Sequence, residues 1–155
     1  MIVLQDFPAA RFDEFQIISV SEYAQDLMDN RRMEEQAALK KAEEGLSKAF
    51  PEGKSNEHNK LLSIVNKTKA GEVEVGFLWY SLQDDASAFI MDFLVYSEHR
   101  GKGYASKALE ALKATFKKDG LTRIGLRVAP DNHGAIRTYY KAGFNVTGWN
   151  MSCEV

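Results

Sequence analysis

Cysteine is almost missing from this chain. One residue among 155, Cys153, rules out an internal disulfide framework and fits a reducing compartment. Beside the C-terminus it reads as a small packing residue rather than a nucleophile. An excess of positive charge is missing too: 20 Lys and Arg stand against 22 Asp and Glu, for a net charge of −2. That balance argues against nucleic acid as a partner, because such binding is led by clustered Lys and Arg. No apolar run approaches the roughly 20 residues that span a bilayer. The opening Met1-Ile2-Val3-Leu4-Gln5-Asp6 lacks a basic region followed by a signal-like apolar core. No Cys/His cluster suggests zinc, and no G-x-S-x-G elbow suggests a hydrolase. Repeats, linkers and low-complexity tracts are also lacking. These absences describe a soluble, cytoplasmic protein with no membrane partner. What is present, 45% hydrophobic residues, is enough for one domain with a full core over 1–155.

Periodicity sets the order of elements. Ile2 to Leu4 make a short first strand, closed by Asp6 and Pro8. Phe12, Phe15, Ile18, Tyr23 and Leu27 recur at near-helical intervals and predict a helix over about 8–30. Met33, Ala37, Ala38, Ala42, Leu46 and Phe50 predict a second over 31–50, stopped by Pro51 and Gly53. Acid gathers on these helices at Asp26, Asp29, Glu34, Glu35, Glu43 and Glu44, as solvated faces or as the wall of a site for a cation. Leu61–Val65 and Val73–Tyr80 form a hairpin across Lys69-Ala70-Gly71, and Phe89–Tyr96 follows as a third antiparallel strand. Gly76 within a strand signals either a bulge or a close backbone approach. Ala105, Ala108, Leu109, Leu112 and Phe116 mark a helix, and Ile124–Val128 a strand reached by a right-handed parallel crossover. A short helix runs from Asp131 or Asn132 through Lys141, and Phe144–Cys153 alternates enough for one or two closing strands. The fold class is α/β, with a mixed sheet that is antiparallel early and parallel across the central helix.

The most informative stretch joins the third of those strands to the central helix: Val95-Tyr96-Ser97-Glu98-His99-Arg100-Gly101-Lys102-Gly103-Tyr104-Ala105-Ser106. Strand, tight turn and helix start converge there, so backbone N–H groups and a helix N-terminus point at one spot. Such a spot suits a phosphate or pyrophosphate. Gly101 and Gly103 permit positive φ and close approach of an anion. Neither common phosphate loop fits. G-x-G-x-x-G fails because Ser106 stands in the third glycine position, and G-x-x-x-x-G-K-[ST] fails because Tyr104 follows Gly103.

What remains is R-x-x-G-x-A, Arg100 to Ala105, followed downstream by Asn132-x-x-Ala135-x-x-Thr138-Tyr139-Tyr140-Lys141-Ala142-Gly143-Phe144. Together these resemble the GNAT superfamily of N-acetyltransferases, closely over 72–148 and only in order and length over the two preceding helices. Ser97, Thr138, Ala142 and Ala105 depart from the residues most frequent in the family at those places. The resemblance implies a GNAT-like fold and acetyl-CoA as acetyl donor, with no metal. It implies a core for the coenzyme over 86–144, an acceptor side shaped by the first two helices, and an amine on a small molecule or peptide as acceptor. Some relatives form a homodimer. It also implies that the amides of Arg100, Gly101, Lys102, Gly103, Tyr104, Ala105 and Ser106 receive the pyrophosphate, that Phe93, Leu94 and Val95 pair with the pantetheine arm, and that Asn132, with Ala135 on the same helix face, holds the arm. The strand 124–128 would splay to admit it.

The resemblance makes Tyr139 the general acid that returns a proton to the departing thiolate. Asn132, Ala135 and Tyr139 share one helical face, and a phenol near pKa ~10 is a weak acid for a thiol near ~8.5. Tyr140, rotated by about 100°, is assigned to core or substrate-side packing. Asp92 interrupts an apolar run, where an unpaired charge is costly. It is either a general base for the acceptor ammonium or, the favoured reading, a salt-bridge partner of Arg123 or Arg127. Glu72 and Glu74 are weaker candidates for the base, and His58, His99 and His133 read as exposed polar residues rather than bases. Two rival functions belong to other classes: a non-catalytic domain that binds or senses acyl-CoA, and a nucleic-acid or interaction domain using Arg100 and Lys102.

Overall fold

The computed structural model describes residues 1–155. Its centre is a five-stranded sheet in the order β1-β2-β3-β4-β5, with β1 Ile2–Asp6, β2 Asn59–Thr68, β3 Gly71–Gln83, β4 Ser87–Val95 and β5 Arg123–Leu126. Neighbours are antiparallel through β4, and β5 is parallel to β4. The helices are α1 Phe12–Arg31, α2 Glu35–Ala49, α3 Tyr104–Lys118 and α4 His133–Lys141. None is long and apolar enough to cross a membrane.

Alternation along the strands divides the core in two. On one face α1 and α2 bury Phe15, Leu27, Ala38 and Leu46 against Phe77 and Trp79. Phe15 packs edge-on against Phe12, Phe50, Phe77 and Trp79, a geometry favoured by the aromatic quadrupole. On the other face α3 buries Ala108, Leu109, Leu112 and Phe116 against Ile64, Val75, Leu78, Ala88 and Ile90. The expected second helix starts late. Arg32 adopts a left-handed conformation (φ 51°) that ends α1 and lets the chain turn before Glu35.

Two bulges reverse the strand alternation, and each turns a carboxylate. Between β2 and β3, Ile64 pairs with Gly76 and Val65 with Glu74, leaving Val75 without a partner. Val75 stays in the α3-side core, so Glu74 swings to the α1 side. There it accepts hydrogen bonds from Arg11 (3.0 and 3.1 Å), the Ser63 hydroxyl (2.7 Å) and the Tyr96 phenol (2.8 Å). This carboxylate clamps the turn before α1, both strands of the hairpin and the exit of β4. Burial works against its ionisation, but the hydrogen bonds from Arg11, Ser63 and Tyr96 outweigh it and hold the carboxyl below its usual range. Gly76 shows both features expected of it. It adjoins the bulge, and a Cβ built there would lie 2.0 Å from the Leu94 carbonyl oxygen.

The predicted closing strands do not form. After Gly143 no backbone hydrogen bond involves residues 145–155. A pattern of alternation makes a segment competent to pair, but within this chain no strand edge is brought beside it. Cys153 is consequently exposed rather than packed. Tyr140, 53% exposed, lies outside the core as well.

Gly76→Ala is expected to cost on the order of 3 kcal/mol, because β3 and β4 must separate to admit the methyl group; thermal melting measures it. Glu74→Gln should cost ~1–3 kcal/mol near neutral pH, toward the lower figure because Arg11 is partly exposed to solvent. The folded-state pKa of Glu74 is depressed, so its stabilisation is present above the unfolded value and is lost as pH falls through the folded one. Denaturant melts of both proteins should therefore converge on acidification.

Candidate active site

The sheet opens where β5 stops. β5 pairs with β4 only from Ser87–Arg123 to Ile90–Leu126, so Met91 to Val95 have no strand partner on that edge. Phe93, Leu94 and Val95 lie in this unpaired stretch. The splaying of β4 from β5 expected from the sequence is present, and β5 is shorter than predicted, ending at Leu126.

The exposed edge leads into the glycine turn. A single 3-10 turn, Ser97–His99, precedes Gly101 and Gly103, both at φ 74°, and α3 begins at Tyr104. The left-handed φ rather than lack of space calls for glycine here, since a Cβ at either position would meet nothing within 4 Å. No acceptor in the chain receives the amides of residues 101–106, and Gly103 caps α3 without a side-chain bond. Arg100 Nε donates to the Val95 carbonyl at 2.9 Å and Lys102 Nζ to the Glu98 carbonyl at 3.0 Å. Both cations thereby brace the turn. Free amides, helix dipole and adjacent cations together favour negative charge at this spot.

Asp92 owes its direction to the second bulge. Trp79 pairs with Asp92 and Tyr80 with Ile90, so Met91 is the extra residue. Ile90 and Phe93 lie on the α3 side, whereas Asp92 turns toward α1, where Ser19 and Glu22 stand near it. This overturns the predicted ion pair. Arg123, at the start of β5, is bound by Asp85 (2.6 Å), and Arg127 by Asp26 on α1 (2.7 Å). Asp92 faces no cation. Burial pushes its carboxyl up to about 6; the nearby Ser19 hydroxyl opposes that shift, the Glu22 carboxylate adds to it, and the Phe93 amide again opposes it.

Tyr139 approaches from the opposite side. Asn132 caps α4, its side-chain oxygen accepting the Ala135 amide at 3.2 Å. Its carbonyl is therefore already engaged, and the side-chain NH2 is the group left for another partner. The ring of Tyr139 packs against Phe144 at 5.7 Å and Phe93 at 6.4 Å. Its hydroxyl makes no hydrogen bond within the chain. Burial, and then the charge of Asp92, push the phenol up to about 12. The two groups expected as acid and base thus flank one opening in the sheet, close enough for the Asp92 charge to act on the Tyr139 phenol.

The two weaker candidates for the base are elsewhere engaged, Glu74 in its clamp and Glu72 on Lys67 at 2.7 Å. His58 and His133 are exposed, and His99 stacks near Tyr104 in the turn. Sequence reasoning missed Ser19 and Glu22. Their signal was the spacing Ser19, Glu22, Asp26, Asp29, which lays a polar stripe along one face of α1. That stripe and the loop before α4 line a cleft of about 380 Å³, walled by Glu22, Asp26, Asp29 and Asp131 and edged by Asn132.

Comparison with known proteins agrees with this geometry. The sequence profile of the acetyltransferase (GNAT) family matches residues 21–144. The chain is 30% identical over 151 residues to YdgE of Bacillus subtilis (strain 168), named an uncharacterized N-acetyltransferase, covering 96% of this chain and 94% of that one. It is 36% identical over 107 residues to YycN of the same organism, likewise named, covering 66% of each. The crystal structure of YycN superposes with a TM-score of 0.89 over 100% of this chain and 99% of its own, at 27% identity. AAC(6')-Iy, solved with a CoA-containing bisubstrate analogue, shares the fold at a TM-score of 0.57 and 14% identity, with 100% of this chain and 98% of that one covered. A sheet opened beside an amide-lined turn and a profile spanning most of the chain place this protein in the GNAT family of acetyltransferases.

Proposed function

We propose that this chain transfers an acetyl group from acetyl-CoA to a primary amine by direct attack in a ternary complex. The observation that carries this reading is the placement of Asp92 and Tyr139 on either side of the unpaired β4 edge, which ends at the free amides of residues 101–106. The residues fit the coenzyme. The turn from Arg100 to Ser106 is built for an anion of pyrophosphate type. The edge Phe93-Leu94-Val95 offers backbone groups to an extended arm as to an added strand, and the Asn132 amide offers one more donor. Ala135 follows Asn132 on the coenzyme side of α4. Acetyl-CoA supplies an acyl group activated as a thioester.

The chain's own residues then manage charge and protons. Asp92, ionised above pH about 6, accepts a proton from the acceptor ammonium, directly or through water. The freed amine forms the new C–N bond at the acyl carbon. An amide N–H of Leu94 or Val95 is the donor available to the carbonyl oxygen as negative charge develops there. As the C–S bond breaks, Tyr139, protonated at every working pH, gives its proton or a hydrogen bond to the leaving sulfur. Direct attack is favoured because Cys153 stands in the exposed terminal segment, away from any base. The carboxylates of Glu22, Asp29 and Asp131 around the cleft favour an acceptor with further positive charge, such as a polyamine, an aminoglycoside or a basic peptide. The helices α1 and α2 form that acceptor side, and the coenzyme core spans 86–144.

A thiol-release screen with acetyl-CoA across small amines, amino acids, aminoglycosides and peptides tests the reading; acetyl-CoA binding with no release against any amine would replace it with acyl-CoA sensing. With an active acceptor, kcat/KM should rise with pH along a single-proton limb near 6. Asp92→Asn should remove the limb and lower the rate by ~10²–10⁴-fold. Tyr139→Phe should lower kcat by ~10²-fold or more while calorimetry finds coenzyme affinity unchanged. An unaltered kcat would exclude the assigned role.

A further inference from the structure

Arg127 is the first residue past the end of β5, and it stands on the same face of the sheet as Asp92. The last β4–β5 pair joins Ile90 to Leu126, and both side chains belong to the core on the α3 side, so the next residue turns to the α1 side. The bulge at Met91 brings Asp92 to that side as well. Neighbouring strands run about 4.8 Å apart and one residue advances a strand by about 3.3 Å. At the start of the splay the Asp92 carboxylate is therefore within the span of an arginine side chain, where opposite charges ordinarily pair. Here they do not. Arg127 Nη1 donates instead to Asp26 Oδ2 on α1 at 2.7 Å, and the other Asp26 oxygen accepts from the Asn30 amide at 2.8 Å. Asp26 is the more buried partner of the ion pair, 22% exposed against 39%.

We propose that Asp26 is a positioning residue for the transfer: by holding the Arg127 guanidinium on α1, it keeps that cation off Asp92 and leaves the Asp92 carboxylate free for the acceptor ammonium. The inference rests on Asp92 as the base of the reaction proposed above. Ser19, Glu22 and Asp26 lie on successive turns of one face of α1. Ser19 stands by Asp92 on β4 and Asp26 by Arg127 just past β5, so this stripe crosses the opening in the sheet. The groups that face Asp92 are Ser19 and Glu22 from α1, Tyr139 from α4 and the uncharged Trp79 across from it on β3. Arg100 in the turn acts on Glu22, and Glu74 further along the same face is closed on Arg11 and Tyr96. Of the cations around the opening, Arg123 is bound by Asp85 and Arg100 by the Val95 carbonyl, whereas the one tie of Arg127 is Asp26. On Asp92, Arg127 would hold the carboxyl down, and an incoming ammonium would have to displace a guanidinium.

Asp26→Asn keeps an oxygen for Asn30 and removes the charge that holds Arg127. Carbon-13 NMR of the side-chain carboxyls reads the result without any acceptor, the Asp92 signal being identified by its loss in Asp92→Asn. In the wild type that signal should titrate near 6. In Asp26→Asn it should titrate lower by roughly 1–3 pH units, as a carboxylate newly paired with a guanidinium does. Arg127→Gln leaves Asp26 as a like charge, so the titration should move to the alkaline side. Asp26→Asn combined with Arg127→Gln should titrate as the wild type does. A crystal structure of Asp26→Asn should show the guanidinium turned to Asp92. A wild-type signal already in the ordinary carboxylate range, an unmoved signal in Asp26→Asn, a double variant that keeps the acid displacement, or a guanidinium still beside residue 26 would each overturn the proposal. With an active acceptor, the kcat/KM limb of Asp26→Asn should follow the Asp92 signal to lower pH. A limb that stays while the signal moves would remove Asp92 as the base, and with it the purpose assigned to Asp26, but not the restraint of Arg127.

Discussion

Past Ile90, β4 runs on without a neighbour on its outer edge, and the rest of the site depends on that loss of pairing. Unpaired backbone groups are tolerated only where water or a ligand can reach them. The opening therefore stays accessible, bounded by β4, by the end of β5 and by α4. The crossover through α3 has to begin at the mouth of this opening because a parallel β4–β5 pair demands it. Thus the N-terminus of α3, with its free amides, is brought to the end of the strand edge by topology. The sheet that makes the family's fold thus sets an open strand edge beside a turn of free amides.

Two inserted residues, Val75 and Met91, do comparable work on neighbouring strands and lead to opposite electrostatic results. Each turns a carboxylate onto the α1 face. Glu74 meets a guanidinium and two hydroxyls, which keep it ionised and make it a structural tie. Asp92 meets one hydroxyl and a like charge, so its carboxyl rises into the range where protons exchange near neutrality. The difference lies in what α1 and the turn before it present: Arg11 at one end, Ser19 and Glu22 further along. A carboxylate held ionised by its partners and one raised toward neutrality by burial thus stand on adjacent strands of one sheet.

Legibility varied with the range of the interaction. The helices and the hairpin followed from periodicity, since each is decided by residues within a few positions of one another. The glycine turn was legible for the same reason: Gly101 and Gly103 lie in a local context that needs positive φ. Met91 carried no local sign of a bulge, because the offset is set by how β3 and β4 align over their length. The ion pair expected for Asp92 failed on that point. Without the bulge Asp92 would remain on the face of Ile90; with it, Arg123 and Arg127 are left to Asp85 and Asp26. Phe144–Cys153 shows the converse, a strand pattern that no edge within the chain completes.

Local pattern alone determined the order of helices and strands as far as α4, the glycine turn before α3, and the shared helical face of Asn132, Ala135 and Tyr139. These rest on short-range periodicity and on the backbone freedom of glycine, which are properties of neighbouring residues. Only the tertiary structure decided which face Asp92 occupies, that Ser19 and Glu22 stand beside it, and that Glu74 is spent on stability. Those outcomes depend on strand register and on the seating of α1 across the sheet. Both are settled by packing between residues far apart in the chain, where no local pattern records the result.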